Sequence, residues 1–126
     1  MANLNITVAQ DTVELRHEGA LLGEGGIAFP YPSFSLAEVW VRLEPTGHEW
    51  PTSVGRQAKR ALEKWVETYH PQRVQAHIVA KNEPARRLVE WLGFTCECET
   101  PLFGPDGEDC IQYVMFPQKE KDKSNG

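Results

Sequence analysis

Hydrophobic and polar residues alternate from Asn5 to Leu43, the period-2 pattern of half-buried strands. Ile6, Val8, Val13 and Leu15 carry its first part, and Gly19, Gly23, Gly25 and Gly26 punctuate it with turns. Residues 21–29 read as a strand with a bulge or turn. Pro30 and Pro32, which cannot donate into a central ladder, end that strand and predict a loop at 30–34. Residues 35–43 place Leu36, Glu38, Trp40 and Arg42 on one face and Ala37, Val39, Val41 and Leu43 on the other. One wholly apolar face predicts a core strand.

After a polar loop through Pro51 the period changes to 3.6. Val54, Ala58, Ala61, Leu62, Trp65, Val66 and Tyr69 share one stripe of a helix, with Thr52 or Ser53 as N-cap and Pro71 beyond its end. Residues 74–80 form a short β-rich run. A second helix opens at Asn82, a good N-cap, with Pro84 in the only turn that tolerates proline and Ala85, Leu88, Val89 and Leu92 as its buried stripe. Gly93 is placed to end it in a left-handed conformation. Residues 94–102 and 110–116 flank Pro105-Asp106-Gly107, a turn signal, and predict a β-hairpin. Residues 117–126 hold three lysines and no apolar side chain except the opening proline, and predict a disordered tail.

This order of elements makes residues 1–116 a single α/β (α+β) domain with a mixed, mostly antiparallel sheet and two main helices. The hairpins impose antiparallel neighbours and the two helical crossovers parallel ones. The chain has 126 residues, 40% hydrophobic and 25% charged, ordinary values that exclude wholesale disorder. Thirteen Lys and Arg against eighteen Asp and Glu give a net charge of −5, which disfavours general nucleic-acid binding. No apolar run approaches the ~20 residues of a membrane helix and no signal peptide opens the chain, so a cytoplasmic protein without membrane partners is expected. Cys96, Cys98 and Cys110 read as thiols. Cys96 and Cys98 are spaced to share a strand face, but the four-ligand spacing of a structural zinc site is missing and no metal is expected.

The segment 79–94 joins a strand to an Asn-x-x-Ala helix start at Asn82–Ala85 and a Gly93-Phe94 ending. In this it resembles the GNAT N-acetyltransferase superfamily, with the likeness running over about residues 20–116. The short length, without the family's usual first strand and two helices, is similar to compact GNAT-like proteins of tailed bacteriophages. The resemblance implies acetyl-coenzyme A as cosubstrate and an amine of a small molecule or protein as acceptor, with a homodimer as a further partner. Leu36–Val41 looks like the strand that in some members carries a catalytic glutamate, at the position of Glu38. The helix near Val54 then corresponds to the one that binds the cofactor pyrophosphate, which implies Leu43, Val54, Gly55, Arg56, Gln57, Ala58, Asn82 and Arg86 as cofactor-binding residues. A non-catalytic GNAT-fold protein of a phage virion or host-interaction type is the alternative.

The chemistry sets what such a site must supply. Free N–H groups and the helix dipole favour a diphosphate at a helix N-terminus, and Gly55 suits close backbone approach. Arg56, Lys59, Arg60 and Lys64 add positive charge to that helix. A lysine-like amine with pKa about 10.4 lies ~3.4 units from neutrality at pH 7, so exposing its lone pair costs about 4.6 kcal/mol. Glu38 is the expected proton acceptor, with His77 as the alternative base, and a strand N–H freed at a bulge is expected to hold the developing oxyanion. The sequence departs from the family at two places. Of the phosphate-loop pattern only the middle glycine, Gly55, is kept. Val89 stands where the family's usual proton-donating tyrosine falls, and Tyr113 is the substitute acid.

Overall fold

The computed structural model describes residues 9–44 and 49–118. Six strands and two helices follow one another as β1 (Ala9–His17), β2 (Ala20–Phe29), β3 (Leu36–Leu43), α1 (Thr52–Tyr69), β4 (Arg73–Val79), α2 (Glu83–Trp91), β5 (Thr95–Thr100) and β6 (Cys110–Met115). They form one sheet in the order β1-β2-β3-β4-β6-β5. The strand positions Ile6 and Val8 and residues 45–48 of the polar loop lie outside the described residues.

Among the described strands only β3 and β4 pair in parallel; the other neighbours are antiparallel. The expectation of parallel neighbours from both crossovers therefore holds for α1 alone. After α2 the chain passes to the sheet edge, and β6 inserts between β4 and β5. Burial explains the choice. β5 has five exposed residues of six and suits an edge, whereas four of the six in β6 are buried and need neighbours on both sides.

Both helices contribute to one core with the apolar sheet face: Leu62 and Trp65 of α1 and Ala85 and Val89 of α2 join Ile27, Ala37, Val74, Ala76, Ile78 and Tyr113. A smaller cluster of Leu15, Leu22 and Val54 closes the β1 side. Leu22 owes its place to the bulge read from the sequence: Leu15 pairs with Gly23 and Arg16 with Leu21, leaving Leu22 as the extra residue. A second register shift, between Cys96 and Cys98, leaves Glu97 as the extra residue. The two cysteines thus partner Tyr113 and Gln112, successive residues that face opposite sides, and do not share a strand face as their spacing predicted.

The helix starts differ. Asn82 caps α2 as expected, its Oδ1 accepting from the Ala85 N–H at 3.3 Å, and Gly93 adopts φ 104° just after the helix. Neither Thr52 nor Ser53 caps α1; both lie inside it, Pro51 occupies the N-cap without a side-chain bond, and the Ser53 hydroxyl pairs instead with His17 Nδ1 at 2.8 Å. Of the expected tail, Pro117 is buried and lines a pocket together with Met115 and Leu92, and residues 119–126 lie outside the described residues. No described helix is long and apolar enough to cross a membrane.

Candidate active site

The parallel ladder between β3 and β4 runs from Leu36/Arg73 to Val39/Ala76 and stops, although β3 continues to Leu43 and β4 to Val79. Backbone accounting shows what the parting leaves. Glu44 donates to the Leu22 carbonyl at 2.9 Å, so the even-numbered residues of β3 bond to β2 and the odd-numbered ones face β4. Ala80 donates to the Asp109 carbonyl at 2.9 Å, so the even-numbered residues of β4 bond to β6 and the odd-numbered ones face β3. The main-chain groups of Val41 and Leu43 on one side, and of His77 and Val79 on the other, thus border the gap. Divergence rather than a bulge frees them, since the register shifts sit at Leu15/Arg16 and Cys96/Cys98 and neither is on β3 or β4. Beneath the gap, on the helix side, an apolar cavity of about 50 Å³ is lined by Val41, Ile78, Ala58, Leu62, Leu88 and Val89 among others.

Among the described residues no helix covers the opposite sheet face, which carries a polar cluster. Arg73, Gln75 and His77 alternate along β4, with Glu38 on β3, Gln112 on β6 and Glu97 on β5 around them. Arg73 pairs with Glu97 through both guanidinium NH groups and donates from Nε to Gln75 Oε1 at 2.8 Å. Gln75 Nε2 donates to Glu38 Oε1, and Gln112 Nε2 donates to Glu97 Oε1 at 2.5 Å. His77 bridges the two halves, Nε2 lying 2.8 Å from Gln112 Oε1 and Nδ1 3.6 Å from Glu38 Oε2. Phe103, from the loop after β5, stacks on the imidazole with centroids 4.3 Å apart and 19° between planes. The Arg73 guanidinium, helped by Gln112, holds the Glu97 carboxyl at about 2, well below the usual range.

At the start of α1 the space over Gly55 is filled by tryptophan. A Cβ there would lie 3.0 Å from the Trp50 ring and 3.0 Å from the Trp91 ring, and the two indoles meet edge-on at 6.0 Å. Trp50 Nε1 donates to the Pro84 carbonyl at 3.2 Å and ties this end of α1 to α2.

No family model matches the sequence, and no curated protein does. Solved structures do match. A ribosomal-protein-S5-alanine acetyltransferase from Vibrio fischeri superposes with TM-score 0.66 at 17% identity, over 79% of this chain and 56% of its own. A spermidine/spermine N-acetyltransferase from Vibrio cholerae gives 0.70 at 18%, over 92% and 72%. An acetyltransferase of the GNAT family from Bacillus anthracis gives 0.66 at 18%, over 80% and 61%. The fold is that of the GNAT acetyltransferases. The chain spans between 56% and 72% of the length of these GNAT structures.

On this GNAT frame the expected catalytic pair is divided by the sheet. Glu38 pairs with Gln75 and stands on the polar face, whereas Tyr113 pairs with Ala76 and points under α2. The Tyr113 hydroxyl donates to Glu90 at 2.6 Å and accepts from Arg86 Nε at 3.2 Å. Burial, then the Glu90 bond, raises its pKa above the ordinary tyrosine range. Glu38 and His77, read from the sequence as alternatives, are neighbours.

Most of the expected cofactor residues have partners inside the fold. Val54 is fully buried and its N–H donates to Pro51. Gly55 accepts a close neighbour, the indole pair of Trp50 and Trp91. Gln57 is likewise engaged, its amide bonded on both sides to the Arg16 main chain. Leu43 packs on the small core cluster, Ala58 lines the cavity, and Arg86 also donates to the Ala80 carbonyl at 3.2 Å. Arg56 is exposed in the first turns of α1. Gln75, Arg73, Glu97 and Gln112 were missed from the sequence. Alternation along β4 was the available signal for Arg73 and Gln75; the bulge hid Glu97.

Proposed function

We propose that the protein transfers an acetyl group from acetyl-coenzyme A to a primary amine of a small molecule or protein. The observation that supports it most is the parting of β3 and β4 after Val39 and Ala76, beside Glu38 and above an apolar cavity. Strand edges of Val41, Leu43, His77 and Val79 offer N–H and C=O groups to an amide-bearing arm and an N–H to a carbonyl oxygen that gains charge. The cosubstrate supplies the thioester-activated acetyl group. Glu38 receives the amine proton, Arg56 draws phosphates toward α1, Asn82 and Arg86 flank the α2 side, and Tyr113 is the proton donor from the helix-covered face.

A second reading, a GNAT-fold scaffold without catalysis of the phage virion or host-interaction kind, draws its support from Gly55 and Gln57, whose places in a phosphate cradle are taken up by internal contacts. Titration calorimetry with acetyl-coenzyme A separates the two. Saturable binding weakened several-fold by Arg56→Glu, together with amine acetylation that falls by about 10²-fold or more in Glu38→Gln, is the expected result. Absence of heat at millimolar ligand overturns the transferase reading in favour of the scaffold.

A further inference from the structure

We infer that the Glu38–His77 junction is a built acceptor for a single proton, and that Gln112 is the positioning residue that keeps it open. Six side chains on the polar face form a closed ring: Arg73, Gln75, Glu38, His77, Gln112 and Glu97. The donor at every junction but one follows from chemistry alone. Arg73 can only donate, so its bond to Gln75 fixes Oε1 there and turns the Gln75 amide nitrogen toward Glu38. Glu97, ionised beside Arg73, can only accept, so the NH₂ of Gln112 must face it and Gln112 Oε1 must face His77.

An amide oxygen cannot donate. The hydrogen in the 2.8 Å contact is therefore on His77 Nε2, which leaves the Nδ1 of a neutral ring as a lone pair. That lone pair looks at Glu38 Oε2 across 3.6 Å, two acceptors with no hydrogen between them. The ring is one proton short at this one place.

The Glu38 carboxylate would by itself favour the other tautomer, with hydrogen on Nδ1. Gln112 opposes that with the shorter contact, and Arg73 and Glu97 behind it stop the amide from turning over. Phe103 covers one face of the imidazole and limits its rotation. Groups facing His77 are thus Glu38 from β3, Gln112 from β6 and Phe103 from the β5–β6 loop, with the charges of Arg73 and Glu97 one contact further out.

The use of this junction in catalysis rests on the transferase reading. The N–H bond of the attacking amine breaks with its electron pair staying on nitrogen, and the proton bonds to Glu38 Oε2 or His77 Nδ1, held between the two. The junction itself is measurable without any substrate. In the ¹⁵N-labelled full chain at mildly alkaline pH, long-range ¹H–¹⁵N correlation of the His77 ring, assigned by the loss of its signals in His77→Gln, is expected to show a protonated Nε2 and a bare Nδ1. Gln112→Leu is expected to move the hydrogen to Nδ1, and Glu97→Gln, which frees the Gln112 amide to turn, to mix the tautomers. A hydrogen on Nδ1 in the unaltered protein overturns the inference, as does an unchanged tautomer in both variants. If Gln112→Leu does not fold, the unaltered protein and Glu97→Gln decide. The expected tautomers in a protein that binds no acetyl-coenzyme A leave this inference standing and sink only the transferase reading.

Discussion

The side-chain amide of Gln57 holds the main chain of Arg16 from both sides, accepting its N–H at 2.9 Å and donating to its C=O at 2.6 Å. A residue of α1 thereby acts as one rung of an absent strand beside β1, the sheet edge. Glutamine alone among the residues near the start of α1 has both an acceptor and a donor at that reach.

Gln57→Ala removes both bonds. At about 0.5–1.5 kcal/mol each, the expected loss is about 1–3 kcal/mol in denaturant unfolding. Amide exchange is expected to quicken at Arg16 and its β1 neighbours while α2 stays protected. Equal exchange throughout the sheet would contradict a local clasp.

Acid is expected to act through Glu97. Its carboxyl, held first by Arg73 and then by Gln112, titrates at about 2 against an ordinary 4.5. A lowered folded-state pKa stabilises the fold fully above the ordinary value and is lost as the pH falls through the folded one. Denaturant midpoints should therefore decline between about pH 4.5 and 2. Glu97→Gln, which has no such titration, should show a shallower decline over that window. Parallel curves for the two proteins would remove Glu97 from the acid transition.

Thiol reactivity should divide two to one. Cys96 and Cys98 are exposed, whereas Cys110 is buried, and burial, with Glu108 and Asp109 nearby, raises its thiol pKa. An aromatic disulfide reagent at mildly alkaline pH is expected to consume two thiols quickly and the third only on unfolding. Three equal rates would mean that the β5–β6 hairpin opens readily.

The elements were legible where local chemistry and tertiary burial agree. The stripe from Val54 to Tyr69, the Asn82 cap and the faces of β3 are set by residues whose preference and final environment coincide. The sequence misled where a distant partner outbid a local one. Ser53 has the hydroxyl of an N-cap, but His17, 36 positions away, takes it. At Gly55 the close neighbours are Trp50 and Trp91, a packing that the local sequence does not announce. The order of β5 and β6 depends on which strand can tolerate an edge, which needs the two burial patterns weighed together. The proton-short ring joins four strands, and its closure depends on a bulge at Glu97 that no periodicity announces.

The indole pair over Gly55 gives the molecule an optical reporter of its own. A guest that settles on the Gly55 backbone has to push Trp50 or Trp91 aside, so its arrival would be written in the colour and intensity of the protein's intrinsic emission.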